Sequence, residues 1–150
     1  MSELIYRCEN FFDIVSELEN LFPDHYDELC VTKDFPLAPD YEQYRSLNDA
    51  KLLVTITCRC DGELIGYIVF FIKPHIHYRT CITAFEDMYY VKPEHRRGRV
   101  GIRLFKYAED VLKNIGIHRI ILHTKVHLDN SRLFEYLGYK NSDKVFTKLL

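Results

Sequence analysis

The chain has 150 residues, of which 47% are hydrophobic and 28% are charged, and its formal net charge is −2. This length and balance predict a single globular domain over residues 1–150, which buries roughly 70% of the surface of the unfolded chain. The nearly neutral charge argues against a nucleic-acid-binding protein. Because no basic leader and no run of about 18 apolar residues is present, we expect a cytoplasmic protein without a membrane contact.

The first 50 residues predict one strand and two helices. Residues 4–8 can form a short strand, and apolar side chains then recur at helical spacing between a cap at Asn10 and a stop at Pro23. Residues 34–40 contain two prolines and predict a loop. Residues 41–47 predict a short helix.

The middle of the chain predicts three strands. Residues 52–60 and 63–73 are apolar and β-branched, and the pair Asp61-Gly62 between them is a strong hairpin signal. Residues 74–78 are predicted as a loop, and residues 81–91 as a long strand.

The last third of the chain alternates between predicted helices and strands, with Gly116 and Gly138 as helix stops. Its elements are helix 102–115, strand 118–124, helix 131–137 and strand 145–149. The complete order is β-α-α-β-β-β-α-β-α-β. It predicts an α/β fold in which a central mixed, mostly antiparallel sheet is flanked by helices.

A basic turn joins the long strand to the amphipathic helix. Four cations fall within eight residues, against the single carboxylate Glu94: Lys92, Arg96, Arg97 and Arg99. The first N–H groups of a helix lack internal partners, and Gly98 and Gly101 let the backbone approach an anion closely. The turn therefore predicts a diphosphate site, with a solvated basic turn as the alternative.

The turn also resembles a family motif. Arg96-Arg97-Gly98-Arg99-Val100-Gly101 is similar to motif A of the GNAT acetyltransferases, Arg/Gln-x-x-Gly-x-Gly/Ala, which wraps the pyrophosphate of acetyl-CoA. Arg99 stands where the motif has its first glycine, and Gly98 lies one residue earlier. Residues 133–139 resemble the family's Leu-Tyr-Glu-Lys-Leu-Gly-Phe, and residues 74–78 resemble a Pro-His-x-His-Tyr segment of small phage-encoded members.

The resemblance implies acetyl-CoA as co-substrate and a set of residues that bind it. Pantetheine is expected to pair with the backbone at the end of the long strand, and His127 stands where the family often has asparagine. The implied coenzyme-binding residues are Tyr90, Val91, Arg96, Arg97, Gly98, Arg99, Val100, Gly101, His127 and Phe134.

Glu86 and Asp87 are the candidate catalytic residues. Acetyl transfer to an amine needs a base, and these carboxylates lie just before Val91, where the family often places one. In a regular strand they point to opposite faces, so only one reaches the acceptor. Asp87 is the preferred base; the alternative is that either carboxylate pairs with a cation or caps a neighbour.

Phe134 leaves the function open between two classes. Many GNAT enzymes have a tyrosine at this position as the acid for the leaving thiolate, so here His127 or water would take that role. The first hypothesis is an N-acetyltransferase acting on a primary amine of a small molecule or a protein lysine. The second is a catalytically weak or silent GNAT-fold binding protein, such as a phage accessory or regulatory factor.

The acceptor side carries only a compositional signal. Acidic residues give it a charge that favours a cationic amine, although surface acidity is common: Asp34, Asp40, Glu42 and Asp49. His75 or His77 is expected at its entrance, and no metal site is predicted. Five cysteines without Cys-x-x-Cys spacing predict free thiols. The sequence leaves a homodimer open.

Overall fold

The structure, a computed structural model, describes residues 2–150 and contains five strands and four α-helices in that range. The elements are β1 (Leu4–Glu9), α1 (Val15–Leu29), α2 (Tyr41–Asp49), β2 (Leu53–Cys60), β3 (Glu63–His75), β4 (Tyr78–Val91), α3 (Val100–Asn114), β5 (Arg119–Ile121) and α4 (Ser131–Tyr136). Short 3-10 turns cover Phe11–Asp13 and Pro93–His95.

The sheet has the strand order β1-β2-β3-β4-β5. The first four strands pair antiparallel, and β5 pairs parallel to β4. This confirms the predicted α/β fold with a mixed, mostly antiparallel sheet. The β4–β5 ladder spans only three residue pairs and ends at Phe85 opposite Ile121. Beyond that pair β5 ends while β4 continues to Val91, and we call the opening along this free edge of β4 the seam.

The turn between β2 and β3 is the one that the sequence predicts. Asp61 and Gly62 both adopt positive φ, at 49° and 90°. Two positive φ values at the centre of a two-residue turn match the right-handed twist of the flanking strands. The hairpin prediction at these residues is therefore confirmed.

Strand β4 contains a bulge at Asp87. Val69 of β3 pairs with Met88, whereas the next β3 residue, Phe70, pairs with Glu86, so Asp87 has no partner across the ladder. A bulge adds one residue to one strand and redirects the side chains around it. The regular alternation assumed from the sequence is thus broken between the two candidate catalytic residues.

Helices cover both faces of the sheet. On one face, α3 buries Leu104, Phe105, Ala108 and Leu112, which recur at helical spacing and pack on the sheet. On the other face, α1 buries a second set that packs against Tyr67 and Val69: Leu18, Leu21, Phe22 and His25. Each fully buried leucine contributes about 2 kcal/mol through removal from water. These two layers hold the seam between them.

Pro23 does not end the first helix, contrary to the prediction. Helix α1 runs through it from Val15 to Leu29. Proline costs one helical hydrogen bond, but Pro23 is exposed, while Phe22 and His25 on either side of it are buried against the sheet. Packing of the helix face on the sheet therefore outweighs the local cost.

The predicted loop at residues 74–78 is also wrong. Strand β3 extends to His75, β4 starts at Tyr78, and the turn between them is only Ile76 and His77. The backbone N–H of His77 donates to Nδ1 of His75 at 3.1 Å, so the side chain supplies the turn with a hydrogen bond. The β3–β4 hairpin is longer than the sequence indicates.

The predicted final strand at residues 145–149 is absent from the described residues. No regular element follows Tyr136, and Val145 and Phe146 are 70% and 89% exposed. Strand β5 offers an edge of only three residues, which gives a further strand few hydrogen bonds. No helix within residues 2–150 is long and apolar enough to cross a membrane.

Arg59 of β2 anchors the start of α1 to the sheet. Its guanidinium donates to Glu9 at 3.1 Å and to Glu17 at 2.8 Å, and only 10% of its side chain is exposed. The hydrogen bonds from Arg59 lower the pKa of Glu17. A carboxyl whose folded pKa is depressed adds stability above its unfolded pKa and loses that contribution as the pH falls.

We expect Arg59→Met to lower the free energy of unfolding by about 2 kcal/mol at pH 7, because two carboxylates lose a buried partner. The difference from the wild type should shrink below about pH 4.5, the ordinary value for glutamate. Urea denaturation at pH 7 and pH 3.5 measures both effects. Lys33→Met, which removes an exposed ion pair with Asp27, is the control and should change little. An equal loss in both variants would contradict the assignment.

Candidate functional site

A cavity of about 290 Å³ lies in the seam, at the end of β4. It is lined by Glu28, Tyr89, Tyr90, Val91, Arg96, Gly98, Gly101, Ile102, Leu128, Asn130 and Leu133. Glu28 comes from α1 on one face of the sheet, and Gly101 and Ile102 come from α3 on the other. Residues from both helical layers therefore line the cavity.

A second cavity of about 330 Å³ lies beside the edge of β5, between Leu112 of α3 and Tyr139 after α4. It contains none of the predicted site residues. The missing final strand leaves this region open, so its size reflects an uncovered edge. We take the seam as the candidate site because the predicted coenzyme residues meet there.

The basic turn folds into the geometry that an anion requires. Gly98 has φ +106°, a conformation that a side chain disfavours, and it brings the chain directly into α3 at Val100. The cap residue Arg99 makes no side-chain hydrogen bond to the helix start. The first N–H groups of α3 thus remain available to an anion, and the helix dipole adds to the attraction.

Gly101 makes room for Tyr89. A Cβ placed on Gly101 would lie 2.6 Å from the Tyr89 hydroxyl oxygen, far inside van der Waals contact. The Tyr89 ring also packs against Phe105 of α3, with the ring centres 4.7 Å apart. Burial raises the pKa of Tyr89 to about 12, so its hydroxyl stays protonated and can donate a hydrogen bond.

Arg96 is held in place by three contacts. Its Nε donates to the carbonyl oxygen of Val91 at 2.7 Å, and its guanidinium lies 5.5 Å from the centre of the Tyr90 ring. The third contact is an ion pair with the Glu28 carboxylate. Arg96 therefore joins the turn to both β4 and α1.

The other predicted coenzyme residues have three different positions. Arg97 and Arg99 are exposed on the turn and do not line the cavity. Val100 and Phe134 are buried, and the Phe134 ring packs edge-on against Phe105. His127 is exposed, and its Nε2 lies 2.9 Å from the carbonyl oxygen of Glu28.

Glu86 lies at the closed end of the seam. Its carboxylate accepts a hydrogen bond at 3.0 Å from the backbone N–H of His123, just beyond β5. Burial raises the pKa of Glu86 to about 7, and the neighbouring Asp87 adds to the rise against the His123 bond. A carboxyl with this pKa exchanges a proton readily near neutral pH.

Asp87 faces α2. Its carboxylate accepts a hydrogen bond at 2.6 Å from the Tyr44 hydroxyl. Asp87 remains accessible to solvent, yet the surrounding protein excludes enough water to raise its pKa, against the lowering effect of the tyrosine bond. The bulge and the side chain of Tyr44 together direct Asp87 to the α1–α2 face.

Three tyrosines and a histidine form a neutral polar wall on this face: Tyr44, Tyr67, Tyr90 and His25. Nδ1 of His25 lies 2.8 Å from the Tyr67 hydroxyl. Burial lowers the pKa of His25 to about 4, so its ring is neutral near pH 7. Burial is also the main cause of the raised pKa of each tyrosine.

His75 and His77 do not join the site. They lie at the tip of the β3–β4 hairpin, and Asp87 lies nine positions along the strand after Tyr78, a span of about 30 Å. Their expected place at the acceptor entrance is therefore not supported. Within residues 2–150 no group of three or more His, Cys, Asp or Glu side chains could hold a metal ion.

Several cavity residues were not predicted from the sequence. They are Glu28, Tyr89, Ile102, Leu128, Asn130 and Leu133. Some of them are neighbours of predicted residues: Tyr89 precedes Tyr90 on β4, Ile102 follows Gly101 on α3, and Leu133 precedes Phe134 on α4. Glu28 lies in the last turn of α1, which has no basic residue, and this lack of a nearby cation is the signal that could have found it.

A mixed sheet with two parallel strands, next to a glycine- and arginine-rich turn, defines the GNAT acetyltransferase fold. The family model described as the acetyltransferase (GNAT) family matches residues 14–139, so the chain belongs to this family. No curated protein matches the chain by sequence.

Solved acetyltransferases share the fold at low sequence identity. A predicted acetyltransferase from Clostridium acetobutylicum, solved with acetyl-CoA, has 14% identity and a TM-score of 0.72, covering 98% of this chain and 96% of that one. The ribosomal-protein-alanine N-acetyltransferase of Brucella melitensis biovar Abortus has 17% identity and a TM-score of 0.73, with 99% of each chain covered. AAC(6')-Iy with the bisubstrate analogue CoA-S-monomethyl-acetylneamine has 18% identity and a TM-score of 0.74, again with 99% of each covered.

Proposed function

We propose that the protein is an acetyl-CoA-dependent N-acetyltransferase that acetylates a primary amine of a small molecule or a protein lysine. The observation that carries the proposal is the seam cavity, which combines the uncapped start of α3 with the end of β4, the strand that also carries Glu86 and its pKa of about 7. Family membership and the amine acceptors named for two of the compared enzymes support the same reaction.

The residues around the seam fit acetyl-CoA. The start of α3 and the exposed arginines Arg97 and Arg99 would hold the phosphates. The outer edge of β4 beyond Phe85 has no strand partner in the described residues, so the backbone around Tyr90 and Val91 can pair there with the amides of pantetheine. The Val91 carbonyl oxygen already accepts from Arg96, so the Val91 N–H is the group that remains for the ligand. When bound, acetyl-CoA supplies the thioester acetyl group to be transferred.

Glu86 and Asp87 then have different roles, one as the base and the other in orienting the acceptor. Glu86, with its pKa near 7, takes the proton from the acceptor ammonium, so that the neutral amine attacks the thioester carbonyl. Asp87, fixed by Tyr44, orients the amine from the α1–α2 face. As the C–N bond forms, the C–S bond breaks; the attacking nitrogen loses its second proton to water, and water returns a proton to the leaving thiolate.

We expect purified protein to bind acetyl-CoA and Arg96→Glu to bind it at least about tenfold more weakly, because a cation at the turn becomes an anion. Isothermal titration calorimetry measures both affinities. Lys106→Glu makes the same charge change on the exposed side of α3, outside the cavity, and is the matched control. Absence of binding to the wild type at millimolar acetyl-CoA would refute the proposed function.

One observation favours the second candidate, a GNAT-fold binding protein with little or no turnover. Phe134 is buried against Phe105 and offers no hydroxyl to the leaving thiolate. Thiol release from acetyl-CoA, measured against a panel of amines, separates the two candidates. Coenzyme binding without thiol release above the uncatalysed rate for any amine would favour the binding protein.

The acidic residues on the α1–α2 side support a cationic amine. Mass spectrometry of a cell lysate incubated with the protein and isotopically labelled acetyl-CoA would identify the acceptor. Label on neutral or hydroxyl acceptors alone would contradict the cationic amine.

A further inference from the structure

The C-terminal end of α1 carries an excess of negative charge, of which Lys33 compensates Asp27. Its last two turns contain Asp24, Asp27 and Glu28, and its last turn has no basic residue. Carboxylates are unfavourable at this end of a helix, where the unpaired carbonyl groups already make the dipole negative. From Asp24 to Glu42 the sequence has six carboxylates and one lysine. This end of the helix therefore needs cations from elsewhere in the molecule.

Two residues from opposite sides of the seam contact Glu28. Arg96, from the turn after β4, pairs with its carboxylate, and His127, beyond β5, donates from Nε2 to its carbonyl oxygen at 2.9 Å. The Glu28 side chain is only 24% exposed and lines the cavity. Arg96 is therefore the cation that compensates Glu28.

The same guanidinium is needed by the coenzyme. Arg96 begins the segment that the proposed function assigns to phosphate binding, and it lines the cavity beside Gly98 and Gly101. A phosphate group carries more charge than a carboxylate and is the stronger partner for a guanidinium. Binding of the phosphates at Arg96 would leave Glu28 half-buried without a cation, which is unfavourable.

Glu28 also faces the acceptor side of the seam. Glu28 lies one turn after His25 on the same side of α1, and Nδ1 of His25 lies 2.8 Å from the hydroxyl of the buried Tyr67. In agreement with this placement, Glu28 and Asp87 both add to the burial that raises the pKa of Tyr67. The amine that reacts has to lose its proton at Glu86 and cannot stay charged. A cation at Glu28 must therefore be a second positive group on the acceptor.

We propose that Glu28 exchanges partners during the reaction cycle: coenzyme phosphate displaces it from Arg96, and it then binds a second ammonium group of the acceptor. The inference rests on the proposed function and narrows the acceptor to amines with at least two positive charges. It makes binding of coenzyme and acceptor cooperative, because the first ligand frees the residue that holds the second.

The first test is coenzyme affinity. Glu28→Gln removes the competitor for Arg96 and is expected to bind acetyl-CoA about two- to fivefold more tightly than the wild type, the range for a partly exposed ion pair. Asp24→Asn, a neighbouring carboxylate outside the cavity, is the control and should leave affinity unchanged. In an Arg96→Gln background, Glu28→Gln should have no further effect. Unchanged or weaker binding in Glu28→Gln would overturn the exchange.

The second test uses spermidine as a polycationic probe, with butylamine as the singly charged control. Spermidine should bind the wild type at least about fivefold more tightly when the protein is saturated with CoA, and this coupling should disappear in Glu28→Gln. Butylamine should show no such coupling. Equal spermidine affinity with and without CoA would overturn the acceptor part. A wild type that binds no acetyl-CoA would instead refute the proposed function itself.

Discussion

Glu86→Gln is expected to lower kcat by about 100-fold or more while acetyl-CoA affinity stays within about twofold. The amide can still accept the hydrogen bond from His123, so the seam keeps its geometry, but it cannot take a proton. The wild-type rate should fall as the pH drops through about 7, where Glu86 becomes protonated. Steady-state kinetics from pH 5.5 to 9 should show this inflection in the wild type and none in the variant.

The same substitution has a readout in stability. A carboxyl whose folded pKa is raised stabilises the protein below its unfolded pKa of 4.5 and loses that contribution as the pH rises through about 7. Thermal unfolding of Glu86→Gln at pH 8 should therefore occur at a higher temperature than that of the wild type, with a smaller difference at pH 4.5. This separates loss of a base from loss of folded protein.

Asp87→Asn is the comparison that decides between the two carboxylates. It keeps the size of the side chain and an acceptor for the Tyr44 hydroxyl, so we expect a smaller loss of kcat and a higher KM for the amine. If Asp87→Asn abolished turnover and the inflection while Glu86→Gln retained both, the base would be Asp87, the residue that the sequence favours.

Gly101→Ala is expected to weaken acetyl-CoA binding about tenfold or more. The new methyl group would lie 2.6 Å from the Tyr89 hydroxyl, and relief of such overpacking costs about 1–3 kcal/mol. Tyr89 packs on Phe105 and lines the cavity, so a shift of its ring that relieves the clash changes the shape of the site assigned to the coenzyme. Calorimetric titration with acetyl-CoA measures the loss.

A second substitution tests the cause. In Gly101→Ala/Tyr89→Phe the clashing oxygen is gone, and the nearest remaining ring atom of residue 89 lies 3.9 Å from the added methyl group, an ordinary contact. The double variant should bind acetyl-CoA nearly as well as Tyr89→Phe alone. If Gly101→Ala and Gly101→Ala/Tyr89→Phe bound acetyl-CoA equally weakly, the clash with Tyr89 would not be the cause. The requirement for glycine would then come from the backbone of the turn.

The parts of the fold with local chemical causes could be predicted from the sequence. Asp61-Gly62 specifies its turn by two positive φ values, and the spacing of Leu104, Ala108 and Leu112 specifies the buried face of α3. The basic turn was found because the residues that bring an anion to a helix start are neighbours in the chain. Local signals of this kind do not depend on what packs against them.

The parts that depend on tertiary contacts could not be predicted. The extent of α1 was missed because the packing of Phe22 and His25 overrides the cost of Pro23. The bulge at Asp87 depends on the register with β3, which no pattern in β4 reveals. Glu28 joins the site through a contact with Arg96, 68 positions away in the chain. The strand expected at residues 145–149 has the right composition but lacks a sufficient edge to pair with.

The bulge gives Asp87 an unusual freedom to change during evolution. Glu86 and Met88 already pair with consecutive residues of β3. Deletion of residue 87 would therefore leave a continuous ladder, with all the remaining side chains of β4 on their present faces. A deletion elsewhere in β4 would turn one end of the strand over and expose its buried side. Insertion or deletion of this single residue would therefore add or remove the carboxylate that faces α2 while the register of the sheet stays the same.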